Sequence, residues 1–142
     1  MRLLRTVVVD KALSAVFGYL SDFTTTTEWD PGTVSTVRVS GDGGVGTRYL
    51  NTSRFRGRTT ELTYVVEERV NGLLIRLRGD NSTLTSVDTL TFRVVAAGTE
   101  VTYTADFTFK GVARFVAPLL GPAFKKLGDE AETGMREALN QL

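Results

Sequence analysis

Glu100-Val101-Thr102-Tyr103-Thr104-Ala105-Asp106-Phe107-Thr108-Phe109 puts Val101, Tyr103, Ala105, Phe107 and Phe109 on one side of an extended chain and Thr102, Thr104, Asp106 and Thr108 on the other. Successive side chains of a strand point to opposite faces, so this stretch reads as a strand with one dry face and one wet face. The segment before it repeats the pattern, with Leu90, Phe92 and Val94 set against Thr89, Thr91 and Arg93. Further back, Ile75 and Leu77 share the side of Leu73 and oppose Arg76 and Arg78. A sheet that is apolar on one face needs a cover.

Working outward, the pattern predicts six consecutive strands, at 34–40, 45–55, 58–69, 73–79, 83–96 and 100–109, separated by short turn signals of the kind that join antiparallel hairpins. Asn71-Gly72 is the strongest such signal and predicts a two-residue turn with both residues at positive φ. Thr6–Val9 adds a β-branched strand in front. Asp10 is then expected to cap a helix running through Leu13, Val16, Phe17 and Leu20. A second short helix is expected before Pro31-Gly32. The cover is the C-terminus, where Leu120, Phe124, Leu127, Ala131, Met135, Ala138 and Leu142 recur at helical spacing from about Pro122. Pro118 and Pro122 mark 112–121 as a separate or kinked entry to that helix. Gly128 and Gly134 predict close backbone approach to a strand, because each otherwise weakens the helix by about 1 kcal/mol.

Composition narrows the chemistry. The 142 residues, with 42% hydrophobic and 23% charged side chains, predict one folded domain over 1–142 with a sizeable core. There is no Cys and no His, which removes disulfides, thiolate metal sites, serine–histidine triads and the usual neutral-pH proton shuttle. No metal and no cofactor are expected, and any acid–base work falls to Asp, Glu, Lys, Tyr or water. A net charge of +1, with no basic stripe interleaved by aromatics, argues against a nucleic-acid partner. No signal-peptide core or membrane-length apolar run is read, so a cytoplasmic location is expected. Gly41-Asp42-Gly43-Gly44-Val45-Gly46 lies between two strands and does not open a helix, so it reads as a hairpin and not as a phosphate loop.

Strand, two short helices, six antiparallel strands and one long helix make an α+β grip. With Phe17-Gly18-Tyr19-Leu20-Ser21-Asp22, Glu28-Trp29-Asp30-Pro31-Gly32, Gly44-Val45-Gly46-Thr47, Gly98-Thr99-Glu100-Val101-Thr102-Tyr103 and Ala123-Phe124-Lys125-Lys126-Leu127-Gly128-Asp129, that order resembles the START-like (SRPBCC) helix-grip superfamily along essentially the whole chain. This superfamily includes bacterial polyketide cyclase/dehydrase and lipid-transport proteins and the Bet v 1-like pollen allergens. The resemblance implies a curved antiparallel sheet of about seven strands wrapped round the last helix, with a hydrophobic cavity between them. It implies binding or transport of a small lipid- or polyketide-like molecule. The alternatives it leaves open are a polyketide cyclase/dehydrase-type enzyme and a protein-partner module of co-chaperone or toxin type. No catalytic motif of the cyclases is matched, so no catalytic residue is carried over.

With such a cavity in view, individual residues become candidate ligand contacts. Trp29, the only Trp, stands where the chain leaves the short helix to enter the sheet, as a plug or as a ring lining the entrance. Tyr49, Asn51 and Ser53 share a face opposite Arg48 and Arg54, which points them inward, where a wet cavity or a ligand's oxygens would satisfy them. Asp88 shares the parity of Leu90 and Phe92 and would have its pKa raised by desolvation if it faced the cavity. Tyr64 and Tyr103 offer phenolic donors. Leu77, Phe92, Tyr103 and Phe107 complete the inward apolar wall. Phe115, Leu119 and Leu120, on the proline-kinked entry, read as a lid over the cavity mouth or a patch making transient membrane contact.

Overall fold

The computed structural model describes residues 1–142. Its elements in chain order are β1 (Arg2–Val9), α1 (Leu13–Leu20), a 3-10 turn (Phe23–Thr25), α2 (Thr26–Trp29), β2 (Thr33–Ser40), β3 (Arg48–Phe55), β4 (Arg58–Val70), β5 (Leu74–Asp80), β6 (Leu84–Val95), β7 (Gly98–Phe109), α3 (Ala113–Val116), a second 3-10 turn (Ala117–Leu120) and α4 (Gly121–Asn140). The expected α+β helix-grip architecture is present: one curved, fully antiparallel seven-stranded sheet holding a long C-terminal helix.

Strand order β1-β7-β6-β5-β4-β3-β2 puts the first two strands at opposite edges, so the α1–α2 segment must carry the chain across. On the way α1 packs on β6 and β7, and α2 packs on β2 and α4. Register shifts at Thr33/Ser35, Arg38/Ser40 and Val66/Glu68 mark bulges, which add local twist and help the sheet curl.

Several expectations change in detail. β1 begins at Arg2 because the whole stretch pairs with β7, from Arg2 opposite Asp106 to Val9 opposite Thr99. Asp10 does not cap α1: Thr99 Oγ1 holds the Lys11 carbonyl at 2.7 Å, and the helix starts after Ala12 with no side-chain cap. Residues 44–47 belong to the turn, so β3 starts at Arg48. The turn with two left-handed residues is Arg56-Gly57 (φ 52° and 78°), whereas at Asn71-Gly72 only Gly72 has positive φ. Val94 has inward parity but is exposed, since it lies near the free end of the β6–β7 hairpin. Gly134 does approach backbone closely, but that backbone is the end of α2. A Cβ there would collide with the Trp29 carbonyl oxygen. Gly128 lies against the Arg5 guanidinium from β1.

Buried apolar side chains form two clusters. The larger joins α1, α2 and the centre of the sheet to Ala131, Met135 and Leu139 of α4. The smaller, Leu3, Ala105 and Phe124, sits nearer the start of α4, with Phe55, Phe107, Phe109 and Leu120 packed on it. Tyr103 touches both.

Candidate functional site

Residues of both clusters line a cavity of about 410 Å³ between the sheet and α4. Its outer part is aromatic. Phe55 stacks on Phe124 at 4.7 Å, and Phe107 and Phe109 reach the same ring at 5.3 and 5.7 Å. Exposed Arg54 and Arg58 also line it, so the opening lies beside the β3–β4 hairpin and the α3 segment.

The inner part is polar. Asp88, only 4% exposed, receives hydrogen bonds from Ser86 Oγ at 2.6 Å, Tyr103 OH at 2.7 Å and Tyr64 OH at 3.3 Å. Three strands supply this group: Tyr64 from β4, Ser86 and Asp88 from β6, and Tyr103 from β7. The facing position on β5 is Gly79, paired with Tyr64, and a Cβ there would lie 2.7 Å from the Tyr64 ring. Glycine is therefore what lets that ring lie flat on the sheet and reach Asp88.

No cation pairs with Asp88. Burial pushes its carboxyl up to about 6, against the three hydroxyl donors, which favour the charged form. Burial, and then the negative charge of Asp88, hold the Tyr64 and Tyr103 hydroxyls well above the ordinary phenol value. These phenols stay protonated donors. Asp30, another lining residue, is also raised by burial, although the Gly32 amide and the Thr33 hydroxyl bond to it.

Trp29 is 2% exposed and lines the cavity, its ring edge-on to Tyr103 at 5.7 Å. Its Nε1 is the one buried side-chain nitrogen or oxygen with no hydrogen-bond partner. A buried donor left unpaired costs free energy, so Trp29 holds its place in the wall at some cost.

Of the residues picked from sequence, Trp29, Asn51, Ser53, Asp88, Tyr103, Phe107 and Leu120 lie in the cavity wall. Tyr49, Leu77 and Phe92 do not: they are buried in the larger cluster, Tyr49 against Phe23 and Phe92 against Phe17. Phe115 and Leu119 point away and are 70% and 79% exposed, while Val116, Ala117 and Leu120 of the same entry turn inward. The polar face of β3 needs no ligand oxygen, because Asn51 Nδ2 bonds Thr36 Oγ1 at 2.8 Å and Ser53 Oγ bonds Asn51 Oδ1 at 2.7 Å. Ser86 escapes the sequence reading, although its place two residues from Asp88 on the same face is a usable signal. No group of His, Cys, Asp or Glu side chains has a metal-holding arrangement, and no helix is long and apolar enough to cross a membrane.

A seven-stranded sheet closed over a C-terminal helix, with an apolar cavity between them, defines the helix-grip class. The chain belongs to the polyketide cyclase / dehydrase and lipid transport family, which it matches over residues 2–142. No curated protein matches it significantly. Solved structures share the fold at low identity. TTHA0849 from Thermus thermophilus is 14% identical with a TM-score of 0.81, covering 96% of this chain and 95% of that one. The Zhui aromatase/cyclase from Streptomyces sp. R1128 is 12% identical with a TM-score of 0.81, covering 97% and 92%. A START superfamily protein from Mycobacterium smegmatis is 16% identical with a TM-score of 0.74, covering 99% and 94%.

Proposed function

We propose that the protein binds one small hydrophobic molecule of lipid or polyketide type in this cavity, polar end first. The observation carrying the reading is the gradient along the cavity: aromatic rings near the opening, then Asp88 with its hydroxyl donors inside. Burying a few hundred Å² of apolar ligand surface gains several kcal/mol at about 25 cal/mol per Å², and the inner polar groups set orientation. An uncompensated Asp88 disfavours an anionic head at the inner end, which favours a neutral carbonyl or phenol there.

Trp29 is the only Trp, so its emission reads the cavity directly. Titration with flat phenolic polycycles and with long-chain alcohols should shift that emission saturably. Ser53→Phe, which fills the wall from β3, should weaken the response at least tenfold without loss of fold. A flat response to every compound, with native mass spectrometry of protein from its own host finding nothing bound, would overturn the reading.

Catalysis is the second reading, favoured by one observation: the Asp88 carboxyl lies in the cavity wall under three hydroxyl donors with no cation beside it, and burial pushes it up toward the neutral range where it can exchange a proton. On this reading, deuterium uptake in D₂O at the acidic carbon of a cavity-sized 1,3-diketone is faster with the wild-type protein than with Asp88→Asn. Equal rates would count against it.

A further inference from the structure

We infer that the rim of the cavity is a docking surface for an anionic lipid bilayer. The net charge of +1 hides an uneven distribution. Between Phe107 and Gly128 the chain carries Lys110, Arg114, Lys125 and Lys126 and no Asp or Glu, and the hairpin Arg54-Phe55-Arg56-Gly57-Arg58 carries three more bases and no acid. These two segments hold seven of the seventeen basic side chains and none of the sixteen acidic ones. The fold brings them together. Arg54, Phe55 and Arg58 line the same cavity as Ala113, Val116, Ala117 and Leu120, and Phe55 stacks on Phe124 across it.

Partners of these cations decide how much charge is free. Lys110 reaches Asp80 at 3.4 Å, Lys125 meets Asp129 at 2.9 Å, and Lys126 meets Glu130 at 3.7 Å. Arg54, Arg56, Arg58 and Arg114 form no ion pair and are exposed, and Arg114 rests on the Phe115 ring at 4.9 Å. Beside Arg114 the chain leaves Val112, Phe115 and Leu119 in water, with half-exposed Val116 at the edge of the cavity. Unpaired cations near exposed apolar side chains suit an interface where acyl chains take the apolar groups and headgroup phosphates take the guanidinium forks. The charge complementarity selects an anionic membrane as the occupant. Arg54, Arg58 and Val116 of these segments also line the cavity, so docking would bring its opening beside the bilayer.

The test is co-flotation of the intact protein with phosphatidylcholine vesicles with and without phosphatidylglycerol. Binding is expected to the anionic vesicles only, and to fade as salt rises from about 0.1 M to about 1 M, where the screening length shrinks from about 10 Å to about 3 Å. Arg56→Gln with Arg58→Gln should lower partitioning by about 25-fold, at roughly fivefold per lost cation. Phe115→Ser with Leu119→Ser should abolish the salt-resistant remainder. All four side chains are exposed, so the unfolding transition should not move. Phe115→Trp adds a direct readout, a blue shift of emission on anionic vesicles. Absence of flotation, equal binding to neutral vesicles, or arginine variants that bind like the wild type would each overturn the proposal. So would a salt-insensitive dimer that dissolves in the Phe115→Ser, Leu119→Ser variant, since the patch would then serve a second copy of the chain. None of these outcomes bears on whether the cavity takes a ligand.

Discussion

Asp88→Asn should stabilise the empty protein by about 2–3 kcal/mol at pH 8 and leave it nearly unchanged at pH 4. In the unfolded chain this carboxyl titrates near the ordinary value of about 3.9. In the fold, burial pushes it up to about 6. The folded state therefore holds the proton more tightly, so the contribution is complete below the unfolded value and is lost as pH rises through the folded one. Spread over that window, the loss approaches about 3 kcal/mol. Asparagine keeps the shape and an acceptor oxygen for Tyr103 and cannot ionise, so the share of the fall that belongs to Asp88 is absent from the variant. Urea denaturation of both proteins at the two pH values measures the difference. Asp30 is raised in the same direction by burial and remains in the variant, so some fall persists, and Asp30→Asn separates the two. Equal pH dependence in the wild type and Asp88→Asn would mean that Asp88 is not buried as a carboxyl without a cation.

This pattern bears on function as much as on stability. A carboxylate inside an apolar cavity with no counter-cation is a poor choice for holding a fold together, since an apolar or amide side chain would cost less. Three strands nevertheless converge hydroxyls on it, and Gly79 leaves room for one of them. A polar cluster kept at the inner end of a cavity at a cost in stability supports the proposed role of that end in orienting a ligand.

The sheet is legible in the sequence because its alternation is clean where strands bury one face, as in Val101 to Phe109, and because glycine turns interrupt it. The inward face of β3 is legible for the same reason. Legibility stops where side chains on one face are sorted by depth. Tyr49, Leu77 and Phe92 share the inward parity of Asn51 and Asp88 but sit beneath α1 and the first 3-10 turn, where the larger cluster fills the space. Parity says inward and cannot say whether the inside is filled. The entry to α4 is hard for a related reason: Phe115, Leu119 and Leu120 look equivalent in an apolar run, yet the succession of α3, a 3-10 turn and α4 aims only the last at the cavity. The role of Gly134 depends on a contact between residues about a hundred positions apart, which no local pattern encodes.

That contact yields the other large effect. Alanine is favoured over glycine in a helix interior by about 1 kcal/mol, so Gly→Ala in α4 would ordinarily stabilise. At Gly134 the new methyl would overlap the Trp29 carbonyl oxygen, with the Trp29 carbonyl carbon at 3.1 Å and Pro31 Cδ at 3.3 Å. Backbone and a proline ring have no rotamer by which to withdraw, so α4 and α2 must separate. Overpacking of this kind costs about 1–3 kcal/mol. Gly134→Ala should therefore destabilise the protein by about that amount, and Gly18→Ala in α1, where nothing lies within 4 Å, should stabilise it by up to about 1 kcal/mol. The opposite signs make the pair informative in one thermal or urea series. Because Trp29 lines the cavity, the first substitution should also shift its emission and weaken ligand uptake, and the second should do neither. A stabilising Gly134→Ala would mean that α4 slides freely past α2, leaving the cavity without a fixed wall at the end where Trp29 stands.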